Sequence, residues 1–131
     1  MNSLPLFSNM LDPEIDKIFS LLCTDVHMDL IQSLENAVDE HVEQIRTALT
    51  VNEFLDISTA EKIASTLKSL LSDIKIYPRN KQQLVVGAAR YFVRSQDIHD
   101  DMRSLLGFDD DVAVLNFVLA ELGHHEKRIT L

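Results

Sequence analysis

The chain has 131 residues, of which 46% are hydrophobic and 25% are charged, so we expect one core and no second domain. It contains only 3 Gly and 3 Pro, whereas β-sandwiches and barrels need many tight turns that use these residues. The formal net charge is −9, and residues 1–65 carry 12 acidic and 3 basic side chains. Because this acidic half repels phosphate backbones, we do not expect nucleic-acid binding.

Two helices are predicted in the first 50 or so residues. Asp12 is a favoured N-cap and Pro13 suits the first helical position, so a first helix is expected over residues 13–22. A longer second helix follows, in which apolar residues recur at helical spacing with acidic residues between them. It is predicted to end near Leu49 or Phe54.

Capping signals and a proline delimit the next two predicted helices. Ser58 and Glu61 have the spacing of a capping box at the start of a third helix. That helix must end before Pro78, because proline disfavours helical geometry in the preceding residue. Asn80 is the predicted cap of a fourth helix, in which Gly87 would allow a neighbouring helix to approach closely.

The last predicted helix is almost entirely apolar. Three aspartates at 109–111 open it, its apolar part runs from Val112 to Leu122, and Gly123 ends it. A helix that is apolar on all sides is either central in a bundle or shared with another subunit.

These elements predict an all-α fold, a compact single-domain bundle of five or six helices over residues 1–131. The last helix is expected at the centre of the bundle. The polar stretch over residues 95–108 leaves room for one short helix. Residues 1–10 and 124–131 are expected to fray at the two ends of the chain.

The segment from Tyr91 to Leu115 joins a Tyr-bearing helix, an aspartate-containing loop and a Gly-Phe-Asp-Asp-Asp element that opens an apolar helix. It resembles the signature of the YkvA-like family, a bacterial domain of unknown function. The positions that coincide with that signature are Tyr91, Asp97, Asp101, Gly107, Asp110 and Asp111, with Ile98 and Phe108 as conservative replacements. The family's prolines fall at Ser95, Asp100 and Ser104 of this chain. The resemblance implies a helical fold, in which Tyr91 and Gly107 are structural, and it implies no activity.

The aspartates of this segment allow two interpretations. If the loop folds back, Asp97 or Asp101 could approach Asp110 and Asp111 and hold a divalent metal such as Mg²⁺, Mn²⁺ or Ca²⁺. Adding His99 would suit a transition metal. The favoured interpretation is that the aspartates cap helices and pair with nearby arginines, with no resident cofactor.

Other candidates for catalysis or metal binding are weak. Cys23 lies in an apolar run without a basic neighbour, so it is expected to be an inert buried thiol. His27 and His41 are about 21 Å apart along one helix, too far to share a metal. Glu121 and His124 form a single Glu-x-x-His match, whereas di-iron bundles need two with two further glutamates.

The absence of an assembled catalytic set favours a non-enzymatic interaction or scaffold module that binds a protein partner or itself. A homodimer could use the apolar surface of Val112–Leu122. The alternatives are a metal-binding or metal-dependent domain on the aspartates, and a small-ligand domain with Tyr91 and Arg90 or Arg94 at the mouth of its pocket.

Two further sequence features concern location and partners. The chain has no basic, apolar leader at its start and no apolar run near the roughly 20 residues that span a bilayer, so a cytoplasmic protein is expected. The run from Lys75 to Arg94 contains five basic residues and no acid. It is interpreted as a solvated helix face, with a patch for an acidic partner as the alternative.

Overall fold

A computed structural model of the chain describes residues 11–24, 26–48, 57–94 and 109–130. These ranges contain five α-helices and no strand: α1 (Pro13–Leu22), α2 (Met28–Ala48), α3 (Ile57–Ser72), α4 (Arg79–Arg94) and α5 (Asp109–Leu122). Two short 3-10 helices, Ile74–Ile76 and His125–Lys127, follow α3 and α5. The predicted all-α bundle of five or six helices is confirmed.

The beginning of α1 follows from its sequence. Asp12 accepts a hydrogen bond through Oδ1 from the backbone amide of Glu14 at 3.0 Å, and Pro13 occupies the first helical position. The cap satisfies one of the amides that every helix leaves without an intrahelical partner. The predicted bounds of 13–22 are therefore confirmed.

The end of α5 is also as predicted. Gly123 has a φ of 82°, in the left-handed region that costs glycine least. Its amide donates to the carbonyl of Ala120 at 3.1 Å, and the amide of His124 donates to that of Leu119 at 2.8 Å. This pair of bonds is the Schellman motif, which satisfies the last carbonyls of the helix.

Two predicted caps are wrong by one or two residues. α3 begins at Ile57, so Ser58 lies inside its first turn, and Glu61 forms an ion pair with Arg46 of α2 instead of folding back. The ion pair between α3 and α2 therefore replaces the predicted capping contact within α3.

α4 also begins earlier in the sequence than predicted. The helix begins at Arg79, and the carbonyl of Pro78 accepts from the amides of Lys81 and Gln82, both at 2.9 Å. Pro78 therefore takes the capping position expected for Asn80. Proline is acceptable there because its missing N–H has no intrahelical role.

The apolar helix α5 has most of its side chains buried within the described bundle. It contacts α1, α3 and α4, and its apolar side chains are buried by these neighbours: Val112, Val114, Leu115, Phe117, Val118 and Leu119. The central position expected for α5 belongs to α4, which packs against α1, α2, α3 and α5. The surplus apolar surface expected for a homodimer is not found, because this chain itself covers these side chains.

α1 and α4 approach each other at Gly87, as its small size predicted. A Cβ atom at this position would lie 2.4 Å from Sγ of Cys23 and 2.8 Å from Cε1 of Phe19. Both distances are shorter than van der Waals contact, so only glycine fits without displacing α1.

The structure corrects the expectation of a frayed tail for residues 124–130. Ile129 is 8% exposed, and a 3-10 helix precedes it. The Tyr77 hydroxyl and Nε2 of His124 are hydrogen-bonded at 2.9 Å, which fixes the start of the tail beside the segment that joins α3 to α4. Residues 1–10 and Leu131 lie outside the described ranges.

Across the described ranges, none of the helices combines the length and the apolar character needed to cross a membrane.

Replacing Gly87 with alanine should destabilise the protein by about 1–3 kcal/mol, because overpacking against Cys23 and Phe19 outweighs the gain of about 1 kcal/mol in helix propensity. Urea denaturation measures the change. The double variant Gly87→Ala/Cys23→Ala removes the shortest contact and should recover part of the loss. If Gly87→Ala is as stable as the wild type, the close approach of α1 and α4 is wrong.

Candidate functional site

The structure describes only some of the predicted site residues. Tyr91 is 5% exposed and lies in the core on α4, consistent with a structural role. Asp110 is exposed and Asp111 is buried, both in the first turn of α5. Asp97, Asp101 and Gly107 lie outside the described ranges, as do the side chains of Asp109 and Arg94. Of the predicted metal ligands, the described part therefore contains two sequence neighbours.

The remaining metal candidates have other contacts. No group of three or more His, Cys, Asp or Glu side chains that could hold a metal ion occurs within residues 11–24, 26–48, 57–94 and 109–130. Glu121 lies 3.5 Å from Nζ of Lys81, and His124 contacts Tyr77, so the Glu-x-x-His pair serves packing between elements. His27 is exposed whereas His41 is buried.

The predicted small-ligand pocket beside Tyr91 stays a prediction, because the side chain of Arg94 lies outside the described residues. The ring of Tyr91 belongs to the core cluster, and Arg90 is half-buried. The two cavities described below are lined by other residues.

His41 is a polar residue that α2 places in the core. It is 2% exposed, and its ring packs edge-to-face against Phe92 of α4 with 4.7 Å between ring centroids. Both ring nitrogens are buried. Burial lowers the pKa of His41 below its ordinary value of 6.5, because the charged ring would lose its hydration. The neighbouring Gln44 side chain acts on the pKa of the ring in the opposite direction to burial, but less strongly. The ring is therefore neutral at pH 7.

A second buried polar group lies on α1. Asp16 is fully buried, and its Oδ1 accepts a hydrogen bond from Oγ of Ser20 at 3.0 Å. Burial, reinforced by the negative charge of Asp16, raises the pKa of Cys23 to about 12. The thiol is consequently protonated at neutral pH and is a poor nucleophile, as the sequence predicted.

An open groove of about 600 Å³ lies between α3 and residues 127–130 of the C-terminal tail. We call it the α3–tail groove. Its lining is polar except for one side chain: Ser58, Glu61, Lys62, Ser65 and Thr66 from α3, and Lys127, Arg128, Ile129 and Thr130 from the tail. Hydroxyl groups and cations therefore face the same space from both walls.

The cations of the α3–tail groove lack ion-pair partners among the described residues. Lys62, Lys127 and Arg128 form no ion pair with any residue in the described part of the chain. The only acid of the lining, Glu61, is paired with Arg46 on the far side of α3. The groove is thus locally positive on a chain whose net charge is −9.

A neighbouring groove between α2 and α3 has the opposite character. It has about 480 Å³, and ion pairs connect its two walls. Arg46 of α2 pairs with Glu61, and Asp39 of α2 accepts from Nζ of Lys68 at 3.0 Å. Because its charges are satisfied within the chain, this second groove offers less to a charged ligand.

One side chain of α5 holds the tail in position. Nδ2 of Asn116 donates to the carbonyl of Ile129, and Oδ1 accepts from the amide of Ile129, both at 2.8 Å. Asn116 is the only polar residue between Val112 and Ala120. That isolated amide in an apolar run was the one sequence signal for the groove, since it indicates a buried polar contact.

The groove cations were missed by the sequence analysis, which placed the basic patch at Lys75–Arg94. In the structure Lys81 of that run is paired with Glu121, and Tyr77 and Gln82 make contacts within the fold. Lys62 and Lys127 are far apart in sequence and come together only through tertiary packing.

The free energy of unfolding should depend on pH through His41. Below about pH 6.5 the unfolded chain binds a proton on this ring and the folded chain does not, so stability present above that pH is lost as the pH falls. The slope approaches about 1.4 kcal/mol per pH unit for one proton. Urea denaturation between pH 7.5 and pH 5.5 should show a shallower slope in His41→Leu than in the wild type.

The exposed His27 provides the matched control, because His27→Gln should keep the wild-type slope. Equal slopes in His41→Leu and the wild type would contradict a neutral, buried ring.

Replacing Asn116 with alanine should release the tail. The amide and carbonyl of Ile129 lose their partners, at a cost of roughly 1–3 kcal/mol in the free energy of unfolding. Hydrogen exchange of the Ile129 amide measures the release directly. Asn116→Asp keeps the acceptor for that amide and should give an intermediate rate, while exposed Asn36→Ala is the control. Unchanged exchange in Asn116→Ala would show that other contacts hold the tail.

The chain was compared with known proteins in three ways. It matches no protein-family model, no curated protein and no solved structure. Functional interpretation therefore depends on the geometry and charge of the α3–tail groove.

Proposed function

We propose that this protein is a non-enzymatic helical interaction module and that the α3–tail groove is its recognition surface for an anionic partner. The observation that carries the proposal is the set of three cations, Lys62, Lys127 and Arg128, that face one groove without an ion-pair partner among the described residues. An acidic protein that concentrates unpaired positive charge at one place offers an anion a specific location.

The chemistry of the groove suits an anion. Lys and Arg form charge-assisted hydrogen bonds with carboxylates and phosphates, which are stronger than bonds between neutral groups. Hydroxyls of Ser58, Ser65, Thr66 and Thr130 add donors along both walls. The acidic remainder of the surface repels polyanions that do not fit the groove, so charge provides orientation as well as attraction.

Binding is favoured over catalysis by the same geometry. Glu61, the only carboxylate in the lining, is held by Arg46. The groove is open, so water has access to any bound group, whereas most catalytic sites exclude it. His41 and the thiol of Cys23 do not line it.

Other predictions from the sequence stay predictions. These are the resemblance to the YkvA-like family, the cytoplasmic location and the homodimer. A homodimer would need a surface other than the apolar side chains of Val112–Leu122, most of which are buried within the chain.

NMR titration of the labelled protein tests the proposal. The two probes are polyanions of different chemistry, a hexaglutamate peptide and inorganic tripolyphosphate. At least one should shift amide resonances of α3 and of residues 127–130. The variant Lys62→Glu/Arg128→Glu should weaken binding about tenfold or more, because two attractive contacts become repulsive.

The variant Lys17→Glu/Lys75→Glu is the matched control, since it makes the same change in net charge at exposed lysines outside the groove. It should bind with nearly wild-type affinity. If neither probe shifts the groove resonances, or if both variants lose affinity equally, the proposal is wrong.

A further inference from the structure

We infer that the occupant of the α3–tail groove is an extended acidic peptide segment of a protein partner, bound through its carboxylates. The inference rests on the proposed function and specifies the chemical class of the partner. Three features of the groove support it: its length, the placement of its cations on two walls, and its openness.

The length of the groove matches a short extended peptide. Ser58 and Thr66 both line it, and they are eight positions apart along α3, or about 12 Å at 1.5 Å per residue. An extended chain rises about 3.3 Å per residue, so roughly four residues cover that length. A single inorganic phosphate would contact only a part of it.

The cations lie on both walls of the groove. Lys62 is midway between Ser58 and Thr66 on α3, whereas Lys127 and Arg128 are on the tail. Successive side chains of an extended peptide point in opposite directions. Acidic residues at consecutive positions therefore reach both walls, one carboxylate facing Lys62 and the next facing the tail.

The hydroxyl groups complement such a segment. Those of Ser65 and Thr66 on α3 and of Thr130 on the tail line the groove. They can donate to peptide carbonyls, which a peptide presents along its whole length and a compact anion lacks.

The openness of the groove disfavours a small metabolite. Small-molecule sites are mostly apolar and enclose most of the ligand surface, while Ile129 is the only apolar residue in this lining and is itself 8% exposed.

Isothermal titration and NMR with three peptides and one inorganic anion test the inference. Hexaglutamate should bind more tightly than tripolyphosphate and shift amides on both walls. An alternating Glu-Gly hexapeptide places its carboxylates on one side, so it should shift mainly one wall and bind several-fold more weakly. Hexaglutamine should not bind measurably, and Lys62→Glu/Arg128→Glu should abolish the hexaglutamate shifts while Lys17→Glu/Lys75→Glu retains them.

Other results separate this inference from the proposed function. If tripolyphosphate binds in the groove as tightly as hexaglutamate or more tightly, the peptide class is wrong and anion recognition stands. If neither binds there, both proposals fail. If sedimentation shows self-association that Lys62→Glu/Arg128→Glu abolishes and Lys17→Glu/Lys75→Glu does not, the occupant is a second copy of this chain and the inference is overturned.

Discussion

The burial of α5 among α1, α3 and α4 is the constraint on which the rest of the described structure depends. From Val112 to Ala120 this helix is apolar except at Asn116, so it can be stable only when neighbours cover nearly its whole circumference. Phe117, for example, packs edge-to-face against Phe19 of α1, with 6.1 Å between ring centroids. Burying one large apolar side chain contributes about 1.5–3 kcal/mol. The described part of this chain satisfies most of this requirement by itself.

The single polar side chain between Val112 and Ala120 of α5 then determines where the tail lies. Asn116 offers a donor and an acceptor on one side of an otherwise apolar helix, and the backbone of Ile129 supplies the complementary pair. Leaving these groups buried and unpaired would cost more than the bonds themselves contribute. The tail is therefore fixed beside α3, and this places Lys127 and Arg128 opposite Lys62. A core contact thus determines the geometry of a surface groove.

Sequence reasoning succeeded where local signals agree with tertiary packing. Asp12 and Pro13 begin α1, Gly123 ends α5, and the apolar periodicity reveals every described helix. It misplaced the starts of α3 and α4 because Ser58 and Asn80 have side chains that suit an N-cap. In the structure the helices begin earlier, at Ile57 and Arg79. It also missed the burial of His41 and Asp16, since polar residues at such positions are usually exposed. The groove could not be predicted, because its walls are distant in sequence and come together only in the folded chain.

The charge of the groove depends on an ion pair outside it. Glu61 lines both grooves, and its carboxylate is paired with Arg46 on α2. Both side chains are about half exposed, at 47% and 45%, and exposed pairs of this kind contribute only about 0–1 kcal/mol to stability. The larger consequence is electrostatic: a carboxylate held by Arg46 is not available to neutralise Lys62. The ion pairs between α2 and α3 therefore satisfy the acids of one groove, while the cations of the α3–tail groove have no ion-pair partner among the described residues.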